Sequence, residues 1–380
     1  MDFMKKLLIF VTIVLNLIGC KSRIGKIDVI NTDTSRILVC DYEDIKETRD
    51  IKFSELMDSI RIIKFEDTPD AYFKCQGMHF SDNYIAILQR DNRPVLLFDK
   101  TGKFITEVGA FGGGPGEYST SIIDCILDEK NDVIYLLPFS GPRILKYDFK
   151  GKYIGEIKFP VSINKGKISL QADSTLSVFH LAFKDLNEQK FNGASVNLNN
   201  DNISYFYIED LATDIKGQGG GFNHEVWSYR SADGFPLSMT YNNTLYHFNP
   251  KENIVEAAFV FNINKEAHKD DLRFYILTEI PDYYLVYMVG DAKDVMVDKK
   301  NNIAFNVNLI NDYLGDVASG LIVQDGYYWN YFDPTEFAEL LEESLKSDSL
   351  SETQRKYFES LLTGLNEDDN DILLLGKLKQ

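Results

Sequence analysis

The sequence predicts an all-β protein, a six-bladed β-propeller of four-stranded blades with helical insertions near its C-terminus. The first observation behind this prediction is an internal repeat of about fifty residues, a period typical of propellers and solenoids. The second is that the repeated unit consists of short apolar runs separated by tight turns, which favours strands. The third is an apolar C-terminal run that is suited to pair with a strand near the N-terminus and close the ring.

The repeat is clearest in the first half of the chain. Residues 82–88 align with 131–137 at an offset of 49, and at the same offset residues 98–105 align with 147–154 without a gap. A weaker copy, residues 248–249, follows the second turn by 101 residues. Both clear copies contain Asp-x-x-Gly-Lys, in which the aspartate accepts backbone hydrogen bonds and the glycine takes a positive φ.

The remaining blades are predicted from weaker patterns of the same kind. We expect them around four segments, residues 168–181 with 195–208, 226–260, 285–308 and 315–331. Residues 265–281 are predicted as a helical insertion from a blade loop that shapes one face.

Two helices and a last strand are predicted at the C-terminal end. The first helix begins at Asp333-Pro334, and the second begins at the capping box of Ser351 and Gln354. Residues 371–378 form the final strand, and we expect it to complete a blade begun by residues 59–65.

Composition limits the classes of function. Asp and Glu number 58 against 40 Lys and Arg, which gives a net charge of −18. A field of that sign repels phosphate backbones, so nucleic-acid binding is excluded. Hydrophobic residues make up 44% of the chain, enough for a large core.

The first twenty residues predict an address in the cell envelope. Lys5 and Lys6 precede thirteen mostly apolar residues that end at Gly19-Cys20, a secretory signal too short to span a bilayer. Leu17-Ile18-Gly19-Cys20 resembles a bacterial lipobox, which makes Cys20 the lipid attachment site. The alternatives are a plain signal peptide and a short membrane anchor.

The predicted organisation has three parts: a lipoprotein signal peptide at 1–19, a lipidated tether at 20–55 and the propeller at 56–380. In bacterial lipoproteins, which the lipobox resembles, acidic residues just after the cysteine favour display on the outer face. Residues 21–26 are basic instead, so the resemblance implies an anchor in the outer membrane that faces the periplasm. Three cysteines remain, Cys40, Cys75 and Cys125. Their spacing is neither a disulfide framework nor a zinc site, so the alternatives are one Cys40–Cys75 bridge or buried free thiols.

These features together resemble a known family. The lipobox, the glycine-rich residues 109–118, the Tyr-Asp-x-x-Gly-Lys turns and the Asp-rich lead into a Leu-rich last strand are similar to six-bladed β-propeller lipoproteins of Bacteroidetes. Those proteins are related to NHL-repeat propellers and are mostly of unassigned function. The resemblance implies the same fold over essentially the whole mature chain.

No complete catalytic set is visible in the sequence, and we predict no cofactor and no metal site. Residues 112–116 lack the Gly-Lys-Ser/Thr ending of a phosphate loop, so we interpret them as an inter-blade loop fixed by Glu117 and Tyr118. Residues 217–222 are interpreted in the same way. The five histidines form no metal motif, although His180 and His247 lie on separate blades and could converge at the channel. The acidic residues 367–371 lack the pattern of a calcium loop.

The function predicted from these residues is a lipid-anchored binding or scaffolding module of the cell envelope. Its partners would be envelope proteins, or a carbohydrate or other small-molecule ligand. A possible binding face comprises the aromatic residues Tyr283, Tyr284, Tyr327, Tyr328 and Trp329, and the other interpretation is that these rings pack between blades. The alternative function is a channel-centred hydrolase or lyase that acts with or without a metal.

Overall fold

A computed structural model describes residues 25, 27–32, 35–184, 190–213 and 224–380. Six sheets, each with a four-stranded core, follow one another around a ring, which confirms the six-bladed propeller. Before the first blade come β1 (Asp28–Asn31), β2 (Arg36–Asp41), β3 (Thr48–Lys52), helix α1 (Phe53–Leu56) and β4 (Arg61–Lys64).

The first three blades follow in chain order. Blade 1 contains β5 (Cys75–Phe80), β6 (Tyr84–Gln89), β7 (Val95–Asp99) and β8 (Phe104–Val108). The short strands β9 (Ala110–Phe111) and β10 (Glu117–Tyr118) pair in the loop that follows. Blade 2 contains β11 (Ile122–Asp128), β12 (Val133–Pro138), β13 (Ser140–Tyr147) and β14 (Tyr153–Asn164). Blade 3 contains β15 (Lys167–Leu170), β16 (Thr175–Phe179), β17 (Gly193–Asn197) and β18 (Asn202–Phe206).

The other three blades complete the ring. Blade 4 contains β19 (Val226–Trp227), β20 (Pro236–Met239), β21 (Thr244–Asn249) and β22 (Ile254–Asn262). Blade 5 contains β23 (Leu272–Glu279), β24 (Tyr283–Gly290), β25 (Val295–Asp298) and β26 (Ile303–Asn311), to which β27 (Val317–Ala318) adds an edge. Blade 6 contains β28 (Val323–Gln324), β29 (Tyr327–Phe332), β30 (Ile372–Lys377) and the N-terminal strand β4. Helices α2 (Pro334–Leu345) and α3 (Glu352–Thr363) lie between β29 and β30.

The predicted repeat and its turns are present in blades 1 and 2. The strands that begin at Tyr84 and Phe104 correspond, 49 residues later, to those that begin at Val133 and Tyr153. In both turns the aspartate accepts backbone hydrogen bonds, since Asp99 Oδ1 lies 2.7 Å from the Thr101 amide nitrogen and Asp148 Oδ1 lies 2.9 Å from that of Lys150. Gly102 has a φ of +90°, as the turn requires.

Within the described residues the core consists of six apolar clusters, one between each adjacent pair of blades. Alternate side chains of a strand face opposite neighbours. Ile85 and Ile87 of β6 therefore pack against blade 6, whereas Ala86 and Leu88 pack against blade 2. This two-sided burial explains why these strands are apolar without interruption.

The two ends of the chain share blade 6, as predicted. β30 pairs with β29 on one side and with β4 on the other, with Ile372 opposite Lys64 and Leu374 opposite Ile62. Both predicted C-terminal helices are also confirmed, and each carries its capping box.

Two expectations differ from the structure. Residues 265–281 are not a helical insertion, because Leu272–Glu279 form β23, the first strand of blade 5. The described part of the predicted tether contains β2 and β3, which add in parallel to the outer edges of blades 4 and 5. Edge strands expose unpaired backbone groups, and these added strands cover them.

The three described cysteines are buried free thiols. Burial raises the pKa of Cys40 and of Cys75 to about 12, so both stay protonated at neutral pH. Cys20 lies outside the described residues, as do residues 217–222.

Candidate functional site

Successive strands of a blade run in opposite directions. The loop that leads into each first strand therefore lies at the same end of the ring as the loop between each second and third strand. This loop-bearing end carries the glycine-rich residues 109–121 and both α2 and α3. The other end has mostly tight turns. The first strands contact those of neighbouring blades and surround the central channel.

Four polar and charged side chains meet among the first strands at the channel, and we call them the Arg230 cluster: Arg230, His79, Asp124 and Asp325. Arg230 follows the first strand of blade 4. His79 and Asp124 lie on the first strands of blades 1 and 2, and Asp325 directly follows that of blade 6. Arg230 Nε donates to Asp325 Oδ1 at 2.7 Å, and Nη1 donates to Asp124 Oδ1 at 2.8 Å.

The other donors of the same guanidinium reach two backbone carbonyls and a ring. Nη1 donates to the Ile168 oxygen on blade 3 at 2.8 Å, and Nη2 donates to the Cys125 oxygen at 2.8 Å. Nη2 also lies 2.8 Å from His79 Nδ1. A guanidinium has five N–H donors, so Arg230 is fully bonded when His79 Nδ1 accepts, and its contacts link five blades.

The carboxylates of Asp124 and Asp325 both accept hydrogen bonds from this cation. Burial alone would raise the pKa of Asp325, but the charges of Arg230 and His79 outweigh burial and hold it well below its ordinary range. Asp124 is fully buried and also accepts from the Ile168 amide at 2.8 Å. His79 Nδ1 lies 3.0 Å from Asp325 Oδ2. A neutral ring with hydrogen on Nε2 accepts from Arg230, whereas a ring protonated at Nδ1 donates to Asp325.

The cluster contains acids and a histidine but is suited to hold the blades together. Its guanidinium lies where a metal ion would have to lie between His79 and the two aspartates. In the part of the chain that the structure describes, no three His, Cys, Asp or Glu side chains are placed to bind a metal. A substrate would have to displace Arg230 to reach these groups.

A groove of about 620 Å³ opens on the loop-bearing end between blades 4 and 5. We call it the asparagine groove, since its lining is rich in that residue: Tyr241, Asn242, Asn243, Phe261, Asn262, Ile263, Asn264, Lys265, Glu266 and Tyr275. Phe261 and Tyr275 are buried and meet edge to face at 5.1 Å between ring centroids, and the half-buried Tyr241 adds the more exposed ring of this aromatic wall.

Hydrogen bonds fix the amides of this groove. Asn243 Nδ2 donates to Asn262 Oδ1 at 3.0 Å, and Asn262 Nδ2 donates to Asp41 at 2.8 Å. Asn242 Nδ2 donates to the Tyr246 hydroxyl at 2.9 Å. The two charged residues of the lining are a lysine and a glutamate, one of each sign. The groove therefore offers oriented neutral amides beside aromatic rings.

The structure separates the residues of the predicted aromatic face. Tyr328 is fully buried and packs on Phe53, and Tyr284 is buried and stacks on Phe259 with centroids 4.7 Å apart. Tyr327 is buried beneath the Lys100 ammonium, 3.7 Å from its ring centroid. These three rings are packing residues between blades because each strand here is covered on both faces, while Tyr283 and Trp329 are half-buried.

His180 and His247 do not converge at the channel. His180 is buried against Phe191, and burial lowers its pKa to about 4. His247 contacts Glu279 of the next blade, and Lys299 Nζ donates to that carboxylate at 2.9 Å. His79 is the histidine at the channel, and its isolated position in a strand gave no sequence signal of that role.

The glycine-rich residues 112–116 form an inter-blade loop that Glu117 and Tyr118 hold in place, as predicted. Glu117 accepts from the Gly114 amide at 2.7 Å, and the Tyr118 hydroxyl accepts from the Val95 amide at 3.1 Å.

No helix in the described residues is both long and apolar enough to cross a bilayer.

Comparison with known proteins agrees with this fold. A family model described as a domain of unknown function, DUF4934, matches residues 34–377. The chain is similar to a Bacteroides fragilis protein described as exported, with a TM-score of 0.61 and 16% identity over 90% of this chain and 100% of that one.

Two other solved structures are more distant. A member of the DUF4221 family from Bacteroides vulgatus has a TM-score of 0.46 and 8% identity over 94% of this chain and 100% of that one. Streptogramin B lyase has a TM-score of 0.44 and 10% identity over 84% of this chain and 98% of that one. No curated protein matches the sequence. The B. fragilis likeness supports the fold alone.

Proposed function

Because the chain belongs to DUF4934, a family described as a domain of unknown function, we propose a function from its geometry. The protein is a binding module of the cell envelope, held to a membrane by lipid on Cys20, and it binds a neutral carbohydrate in the asparagine groove. The observation that carries this proposal is the groove itself, with its oriented amides and aromatic wall on the loop-bearing end.

The chemistry of the groove favours hydroxyl-rich ligands. Side-chain amides of Asn242, Asn243, Asn262 and Asn264 offer both donors and acceptors to hydroxyl groups. Aromatic rings supply apolar area with one polar edge, which suits the two faces of a sugar ring. A volume of about 620 Å³ is within the range of ligand pockets.

The Arg230 cluster weakens the support for the alternative of a channel-centred hydrolase or lyase. Its acids and histidine are bonded to one another and to Arg230, so none is positioned to act on a bound substrate. No second function is favoured by a specific contact.

The ligand proposal is tested by isothermal titration with neutral oligosaccharides of glucose, xylose, mannose and N-acetylglucosamine. We expect at least one to bind, and Tyr241→Ala to weaken it at least about tenfold, or ~1.4 kcal/mol. Tyr357→Ala is the matched control, because Tyr357 is an exposed tyrosine on α3, outside the groove. Absence of binding across the panel, or equal loss in both variants, contradicts the carbohydrate proposal.

The anchor proposal rests on Leu17-Ile18-Gly19-Cys20 and on the family resemblance. Cys20→Ala should abolish incorporation of labelled fatty acid and move the protein out of the membrane fraction, since the thiol that carries the lipid is missing. Cys40→Ala is the control, because that buried thiol should leave lipidation unchanged. If the Cys20 variant still associates with membranes and the parent carries no fatty acid, Cys20 is not a lipid attachment site.

A further inference from the structure

A second cavity, separate from the asparagine groove, lies between blades 5 and 6 beside helix α2. Its volume is about 180 Å³. Its apolar lining comes mainly from five side chains, namely Leu314, Val317, Phe332, Leu340 and Leu374, and polar atoms form nearly as much of its surface. The exposed residues Ala318 and Gly320 also line it, so the cavity reaches the surface at β27.

One buried polar side chain in this lining has no partner. Asn311, the last residue of β26, is 1% exposed, and neither its Oδ1 nor its Nδ2 has a hydrogen-bond partner within the described residues. Buried polar groups in folded proteins are nearly always bonded, and an unpaired amide is costly. Because Asn311 lines the cavity, a molecule that occupies the cavity can supply this partner.

The lining selects the chemistry of that occupant. The described residues that line the cavity include no charged side chain, so an ion would lose its hydration without compensation. The amide of Asn311 presents an acceptor beside its donors, and the matching edge is that of another amide or a lactam. Water, at about 30 Å³ per molecule, is the competing occupant, because the polar and apolar parts of the lining are nearly equal in area.

We propose that this cavity binds a small neutral molecule that carries an amide or lactam edge on a short aliphatic body, with Asn311 as its polar anchor. No residue of the asparagine groove lines this cavity, so the two binding proposals are tested independently of each other.

The test uses 2-pyrrolidinone as the probe and cyclopentanone, which has the same ring size but no N–H, as its matched partner. Saturation-transfer NMR with the full chain should detect 2-pyrrolidinone binding at millimolar concentrations, since very small ligands bind weakly. Asn311→Leu should weaken binding at least about tenfold, or ~1.4 kcal/mol. Asn308→Leu is the control, because Asn308 is exposed on the same strand and bonds to Asp50.

The Asn311 side-chain NH₂ resonance of the unmodified protein provides a second measurement that does not depend on how the variant folds. It should shift with 2-pyrrolidinone and shift less with cyclopentanone. A resonance that stays fixed with both probes, or equal binding by the parent and Asn311→Leu, overturns the proposal and leaves a cavity that holds only water.

Discussion

Arg230 joins more blades than a single side chain usually can. Its guanidinium bonds to Asp124 and Asp325 and to backbone carbonyls on two blades. It adopts a φ of +46°, a conformation that non-glycine residues rarely take. The surrounding bonds hold the backbone in that conformation.

Replacing Arg230 should therefore destabilise the whole ring. Arg230→Met leaves two buried carboxylates without their cation, which costs about 3–5 kcal/mol. Arg230→Lys keeps the charge but loses the planar fork of donors, so an intermediate loss is expected. Arg273→Met, at an exposed arginine, is the control, and urea unfolding measures all three. If Arg230→Met loses no more stability than the control does, the cluster is dispensable.

Asp371 should make stability depend on pH. Burial, with Asp333 and Glu336 nearby, raises its pKa to about 6, against about 3.9 when unfolded. The folded state thus binds the proton more tightly, so stability falls as pH rises from about 4 to about 6 and stays lower above that.

Asp371→Asn removes this dependence. The free energy of unfolding of the variant should exceed that of the parent by an amount that grows between pH 4 and 6. This difference should reach roughly 1–2 kcal/mol after allowance for the partial exposure of Asp371. Melting temperatures measured across that range check it, with Asp368→Asn at an exposed carboxylate as the control. If both variants follow the parent at every pH, the proposed cost of ionising Asp371 is absent.

Sequence reasoning failed at the residue scale for a physical reason. His79, Asp124, Arg230 and Asp325 are far apart in the chain, and none belongs to a spaced motif. Asp325 precedes Gly326 and looks like an ordinary turn residue, while Arg230 comes shortly after a strand of only two residues, Val226–Trp227. Their convergence depends on the ring, which no local pattern contains.

At the scale of elements, strands covered on both faces were the most predictable. The runs at β6 and β12 are apolar because neighbouring blades cover both sides. By contrast, β23 begins with Leu-Arg-Phe after a charged stretch. Its first residues mix apolar and charged side chains, so the sequence gives no clear signal of a strand there. The strands β2 and β3 were missed because each pairs in parallel with a strand more than 200 residues away.

Strand β30 should be essential although it is short. It lies between β29 and β4, and Leu373, Leu374 and Leu375 are buried. Each such side chain contributes roughly 1.5–3 kcal/mol, and a typical fold is stable by only ~5–15 kcal/mol. Deletion of residues 371–380 should therefore cause aggregation or a much lower melting temperature.

Two point variants separate this effect from the mere loss of chain. Leu374→Ala should cost about 2–5 kcal/mol as a buried truncation, whereas Lys377→Ala, at a largely exposed side chain, should cost under about 1 kcal/mol. A truncated protein that melts like the parent would mean that the ring is not closed by β30.

At the scale of the molecule, the two ends of the ring differ in purpose. Tight Asp-x-x-Gly turns make one end regular, while long loops, α2 and α3 make the other irregular and place the asparagine groove there. Loops on a rigid scaffold are where binding residues commonly lie. Because the Arg230 cluster occupies the ends of the first strands at the channel, we propose that recognition takes place at the loop-bearing end.

The most direct test is a crystal structure of the protein with the tightest-binding oligosaccharide from the titration panel. We predict that the sugar lies in the asparagine groove against Tyr241 and the asparagine amides, with Arg230 still bonded to Asp124 and Asp325. A sugar inside the central channel, with Arg230 displaced from those carboxylates, would contradict the account.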